Sequence, residues 1–360
     1  MQQVFTAVVA QTLAIVALLM SLAGAAVADQ GLSLPAALNE HEVVLVAKAV
    51  RRVEGQVTLT PELIIKGKLD EKEFDLPETL NRGRLWEPLT LVAARRYLLM
   101  LERDERGRLI FSRRDNADSV RQVDSVDDTE VRTAAVLFRL MSGADAAART
   151  NALERAWIEE SDKVKERVLS ELLELGRDEA TVPFLERCIE AGAERSSLME
   201  LSSLLIGKFA YRDTIPVLLR ALEKDHWSCV YPAQALGKLK VREAHEPLLA
   251  LINSPIAGNR AYFVAALCDL DDARSIPFLM ETAGRNLKGI DPAAGTHRSW
   301  DLRENEAAIT GLGRLRATEA ADVLKQIAGL QTYAELRKLA QEALQAIAMQ
   351  PDNTSGRNHR

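Results

Sequence analysis

Cysteine is scarce in this chain of 360 residues: Cys188, Cys229 and Cys268 are the only three, and no two form a CxxC pair. That excludes a disulfide framework, a redox dithiol and a zinc-thiolate site. Histidine is almost as sparse, and none of His41, His226, His245, His297 and His359 stands at metal-ligand spacing from another. HExxH, GxSxG, GxGxxG and GxxxxGK[ST] are all missing, so the usual signatures of metalloproteases, serine hydrolases and nucleotide binders are absent. Aromatic residues reach only 5% and prolines number 12, an economy that suits stacked helices better than a sandwich of short strands. The net charge of −6 speaks against a general nucleic-acid binder. Hydrophobic residues at 47% and charged residues at 27% are ordinary for a folded chain, neither disordered nor polytopic.

Positions 1–28 contain no Lys, Arg, Asp or Glu. The apolar stretch Val8 to Leu22 runs into Ala23-Gly24-Ala25-Ala26-Val27-Ala28, the small-residue pattern of a secretory signal cut near Asp29. The expectation is a signal peptide over 1–28 and a periplasmic or secreted mature protein. An uncleaved anchor in the inner membrane through residues 4–28 is the alternative. All three cysteines fall on apolar helix faces, which predicts buried thiols, with one disulfide or a reactive thiol as the rivals.

Between Glu42 and Asp128 the period is that of strands. Residues 43–50 are rich in β-branched side chains and mostly apolar, 56–60 alternate, and further candidates lie at 63–69, 73–76, 97–102 and 109–111. Six short strands in so small a sheet leave edges bare, which predicts a closed or partly closed barrel over 29–128. Arg95, Arg96, Arg103, Arg106, Arg108, Arg113 and Arg114 are dense, but Asp104 and Glu105 interrupt them, and an exposed hairpin is expected. With Val44-Leu45-Val46-Ala47, Leu63-Ile64-Ile65-Lys66-Gly67 and the segment 91–101, this region resembles the small secreted OB-type barrel of the netrin-module and metalloprotease-inhibitor kind. The resemblance implies the fold and not inhibition, because the cysteines of those modules have no counterpart here.

From Thr129 the period becomes helical and the chain repeats. Pro183, Pro216, Pro247 and Pro277 are 33, 31 and 30 residues apart, and Asp322 takes the fifth place 45 residues on. A period near 31 predicts a solenoid over 129–349, with a disordered tail at 350–360. In this reading each unit has one helix ending at a small residue, usually Gly, that lets the chain turn, and Pro then opens the next helix. Ala233-Gln234-Ala235-Leu236-Gly237-Lys238-Leu239, Ala265-Ala266-Leu267 and Ile215-Pro216-Val217-Leu218-Leu219 make the segment similar to HEAT-like repeats, especially the short bacterial variety also found in phycobilin lyases. The fold class expected is therefore α+β multidomain: a small N-terminal OB-like β-barrel, then an all-α α-α superhelix of HEAT-like repeats.

The HEAT-like resemblance implies that the helices opening with Pro line the concave, partner-binding side. Their solvent-facing members, Arg187, Glu190, Arg220, Glu223, Lys224 and Glu281, are the candidate contacts. The long insertion between the fourth and fifth clear repeats, 284–303, adds His297 and Trp300. Tyr231 and Tyr262 occupy equivalent register positions and are expected between repeats; Trp227 opens a helix. The function expected is a non-catalytic exported scaffold or adaptor that binds a protein partner and uses no cofactor, metal or nucleic acid. The alternatives are cofactor-binding or lyase-type chemistry, which the lyase resemblance implies, and barrel-mediated ligand or protease binding with the solenoid as spacer.

Overall fold

The computed structural model describes residues 33–77, 79–80, 89–111, 120–224, 227–254, 260–285, 299–330 and 333–349. The signal-type segment, the tail, Arg113, Arg114, His226 and His297 lie outside these residues. The chain divides into two compact units, one through Ser142 and one from Gly143.

In the first unit, helix α1 (Leu34–Glu40) starts where the Ser33 hydroxyl accepts from the Ala36 amide and Pro35 takes the first turn. Eight strands follow: β1 (Val43–Val53), β2 (Gln56–Lys66), β3 (Phe74–Pro77), β4 (Thr79–Leu80), β5 (Leu89–Thr90), β6 (Arg96–Arg103), β7 (Leu109–Ile110) and β8 (Val120–Val123). Helix α2 (Thr129–Met141) completes the unit. Sheet order is β3-β2-β1-β6-β7 with β8 also on β6, and among the described residues β4 pairs only β5. Every pairing is antiparallel.

Among the described residues this sheet is open, not the barrel expected. The reason lies in β1, which buries both faces. Leu45, Ala47 and Ala49 join Val57, Leu59, Tyr97 and Leu99 in one core. Val44 and Val46 join Leu98 and Met100 in a second core closed by Leu34 and Leu38 of α1 and Val131, Ala134 and Leu137 of α2. A two-residue side-chain period delivers alternate residues to opposite faces, so two helices cover what barrel closure would have enclosed. Helix α2, placed by its period in the helical array, thus belongs with the sheet. The strands expected at 56–60 and 63–69 are one strand, β2. Its Pro61 stands opposite Ala47 where β3, which pairs only with Gln56–Leu59, no longer needs an amide from it. The arginine-rich turn is an exposed hairpin: Asp104 accepts from the amides of Arg106 and Arg108.

The second unit is helical: α3 (Ala146–Glu159), α4 (Asp162–Leu175), α5 (Val182–Glu190), α6 (Ser196–Phe209), α7 (Ile215–Leu222), α8 (Val230–Lys238), α9 (His245–Asn253), α10 (Arg260–Asp269), α11 (Ile276–Gly284), α12 (Ser299–Arg314), α13 (Ala321–Ala328) and α14 (Ala334–Ala348). From α4 to α14 each even-numbered helix packs on the next even one; α3, α5, α7 and α9 do the same in a second layer, as do α11 and α13. This arrangement is compatible with a helical-repeat domain.

The repeat is visible in the backbone. Five even helices are followed by a left-handed residue: Gly176 (φ 88°), Ala210 (55°), Lys240 (55°), Asp271 (59°) and Arg316 (50°). Each is succeeded by one 3₁₀ turn, at Glu179–Thr181, Arg212–Thr214, Arg242–Ala244, Ala273–Ser275 and Thr318–Ala320, and then by the odd helix. Pro183, Pro216 and Pro277 sit in the first helical turn, where a missing N–H costs nothing.

The recurring small residue has a different task from the one expected. Gly207, Gly237 and Gly313 lie inside their helices, three residues before the left-handed position. What they permit is contact between stacked helices. A Cβ on Gly237 would stand 2.9 Å from the Ala266 carbonyl oxygen, and one on Gly313 would stand 2.9 Å from Ala343 Cα. Apart from Gly176, the left-handed turn position is held by ordinary L-residues at some cost. Arg316 is exposed and enters no ion pair among the described residues. Replacing it by glycine should therefore raise stability by about 0.5–1 kcal/mol, read as a higher Tm; an unchanged or lower Tm would remove the strain assigned to this turn.

Candidate functional site

Odd-numbered helices carry the candidate contacts, and their register makes a ladder. Arg187, the sixth residue of α5, reaches back to Glu154, the ninth of α3, with Nη2 at 3.0 and 3.2 Å from the two carboxylate oxygens. Arg220, the sixth residue of α7, repeats the move onto Glu190, the ninth of α5, at 3.1 Å. Lys224 adds a bond from Nζ to the Glu190 carbonyl at 3.4 Å. The sixth residue of α9 is Ala250, so the ladder stops there. Glu223 is exposed just beyond α7, and Glu281 lies on α11 with Arg285 at 2.9 Å. The structure thus brings Arg187, Glu190, Arg220 and Lys224 into one row and leaves Glu281 apart. Arg220 and Glu190 are each more than half exposed, so these pairs contribute about 0–1 kcal/mol apiece. Their value is in pattern. His297 lies outside the described residues, and Trp300 is the second residue of α12.

Beside the charged row runs an apolar one that the sequence reading did not single out. Leu219, Leu249 and Met280 are the fifth residues of α7, α9 and α11, and all three are only half-buried.

Trp227, Tyr231 and Tyr262 lie at the beginnings of even helices. Trp227 is 43% exposed and meets Tyr231 edge-on, with ring centres 6.2 Å apart and planes at 73°. Glu200 of α6 and Tyr262 of α10 act electrostatically on the Tyr231 phenol. Burial pushes the Glu200 carboxyl above the usual carboxylate range, and burial with the Glu200 charge pushes the Tyr231 phenol up. Glu200 was not foreseen, because one glutamate in a helix carries no periodic signal.

The cysteines are free and buried. Burial drives the Cys188 and Cys268 thiols up to about 12, so both stay protonated at neutral pH and are poor nucleophiles. Cys229 Sγ lies 3.1 Å from the Ala221 carbonyl oxygen. Among the described residues no three His, Cys, Asp or Glu side chains are grouped to hold a metal ion, and no helix is long and apolar enough to cross a membrane. Comparison of the chain with protein-family models and with curated proteins finds no match.

Proposed function

We propose that this chain is an exported, non-catalytic adaptor that holds another protein across the odd-numbered helix layer of a HEAT-like α-solenoid. The observation that carries this reading is the pairing of two rows in one register. Fifth residues give the half-buried apolar line Leu219, Leu249 and Met280; sixth and ninth residues give the Glu154–Arg187 and Glu190–Arg220 rungs beside it. An apolar strip with a polar, solvent-accessible rim is the anatomy of a protein interface. Exposed rungs are exchangeable, because a partner of complementary charge can replace one member of a weak pair and so select register and orientation. Export is supported by the uncharged, small-residue-terminated segment 1–28.

A photo-crosslinking amino acid tests the surface directly. Placed at Leu249 or Glu223 in cells, it should yield one discrete adduct, whereas at Leu204, exposed on an even helix, it should not. Combining Arg220→Glu with Lys224→Glu should diminish the adduct from position 223. Adducts from position 204 alone, or from none of the three, would overturn the assignment of the partner to this layer.

A further inference from the structure

The odd-numbered layer changes character from α5 to α9 in a way that selects what can lie across it. Helix α5 packs on α7, and α7 on α9. Packed helices lie about 8–10 Å apart. The fifth residues of these three helices are Glu186, Leu219 and Leu249, all half-buried, so a line that opens with a carboxylate continues as leucine. Their sixth residues are Arg187, Arg220 and Ala250. The two arginines are tied to the preceding helix through Glu154 and Glu190. At α9 an exposed methyl group stands where the arginine would be, and the apolar line widens as the charges end.

The acidic end has a preference of its own. Glu186 and Glu190 are four residues apart on α5, so two like charges stand on one face of the helix. Burial pushes the Glu186 carboxyl above the usual carboxylate range, and the Glu190 charge pushes it further, against the pull of Arg220. Arg220 itself donates to Glu190 at 3.1 Å. A positive group arriving over α5 relieves this repulsion.

We propose, building on the adaptor reading above, that the partner segment lying on this layer is an amphipathic α-helix, basic where it meets Glu186 and Glu190 and apolar where it meets Leu219 and Leu249. Charge complementarity sets the basic end. Backbone chemistry sets the conformation. An extended segment arrives with an unpaired N–H and C=O at every residue, and each must find a partner once buried. Side-chain amides, which donate and accept at once, are the groups that meet that need. Helices α5, α7 and α9 carry a single one, Asn253. A helix satisfies its own backbone and asks of the surface only an apolar strip with matching charges.

The test uses the spacing of crosslinks in the full chain in cells. A photo-crosslinking amino acid is placed singly at Glu186, Leu219 and Leu249, and the attached residue of the partner is located by mass spectrometry of the digested adduct. One step between odd helices spans about six residues of α-helix but about three of extended chain. The attached residues should therefore advance in one direction by about six per step, with Lys or Arg within a turn of the residue attached from position 186. Glu186→Lys should lower the yield from position 249 about fivefold, with Glu186→Gln between it and the parent. Both variants should keep the parent melting curve, since Glu186 lies at the surface. Steps of about three residues, attachment without order, an acidic segment over α5, or peptides from a second copy of this chain would overturn the inference and leave the adaptor reading standing. Equal yields from all three chains would overturn it as well. Absence of any adduct would overturn both.

Discussion

Replacing Gly311 by alanine should destabilise the helical unit by about 1–3 kcal/mol, and adding Cys268→Gly to the same chain should reverse most of the loss. The register of the even helices explains why. Gly207 faces Ala235, Gly237 faces Ala266 and Gly313 faces Ala343, and each alanine lies two residues before the position that corresponds to the glycine in the next helix, namely Gly237, Cys268 and Gln345. At the fourth contact the glycine is replaced by Cys268, and the residue facing it is Gly311 in place of alanine. The bulk has moved from one helix to the other. A Cβ on Gly311 would overlap the Cys268 sulfur and stand 2.9 Å from Cys268 Cβ, with Leu279 Cδ1 at 3.3 Å. Packed interiors do not absorb such overlap without displacing backbone. Glycine to alanine within a helix otherwise gains about 1 kcal/mol, so a net loss measures the clash after that gain is offset. The double variant restores the glycine–alanine pairing of the other repeats. Urea unfolding of the four chains gives the coupling energy; a Gly311→Ala chain as stable as the parent, or a second substitution that adds its own cost without rescue, would refute this size matching.

Much of the helical unit was legible because its repeat is written twice, in apolar spacing and in prolines. Pro183, Pro216 and Pro277 mark helix starts without reference to any distant residue. Gly237 was legible as a repeated glycine but not in its role, since turning and close approach favour the same residue and only the position of Ala266 separates them. In the first unit, the run Val43 to Ala47 is continuously apolar, which signals a strand buried on both faces. The barrel reading took that run as a wall with one interior. Ser33, Leu34 and Pro35 are a helix start signal, but seven residues are too few to establish a period. Of the candidate sites, Arg187 and Arg220 could be placed by register, whereas their partners Glu154 and Glu190 depend on which helices are neighbours. Glu200 and Asn305 had no signal, because a polar side chain in a helix reads as exposed until its surroundings are known.

Asn305 provides the second large effect. It is 3% exposed and its Nδ2 donates to the carbonyls of Thr282 at 2.9 Å, Ala283 at 3.0 Å and Arg285 at 3.1 Å. These carbonyls lie at the end of α11, where only that of Thr282 also accepts the Arg285 amide, at 3.2 Å, among the bonds described, so a side chain of α12 caps α11 across the insertion. Asn305→Asp keeps the shape and removes the donor. An ionised carboxylate there would face three carbonyl oxygens and the negative end of the α11 dipole, an uncompensated buried charge that costs about 3–5 kcal/mol. Asn305→Leu, which removes the side-chain donor but adds no charge, should cost less, about 1–3 kcal/mol. The two variants separate in pH dependence. Burial beside carbonyls raises the introduced carboxyl in the folded chain above its unfolded value of about 4. Below that value the acid is neutral in both states, and its O–H can donate one of the missing bonds. As pH rises, the unfolded chain releases its proton first, and stability relative to the parent falls until the folded-state value is passed. Urea unfolding should therefore show Asn305→Asp much weaker at pH 7 than at pH 4, and Asn305→Leu with the same deficit at both. A deficit for Asn305→Asp that ignores pH would mean that the carboxyl reaches water, and that Asn305 does not cap α11 in the way described.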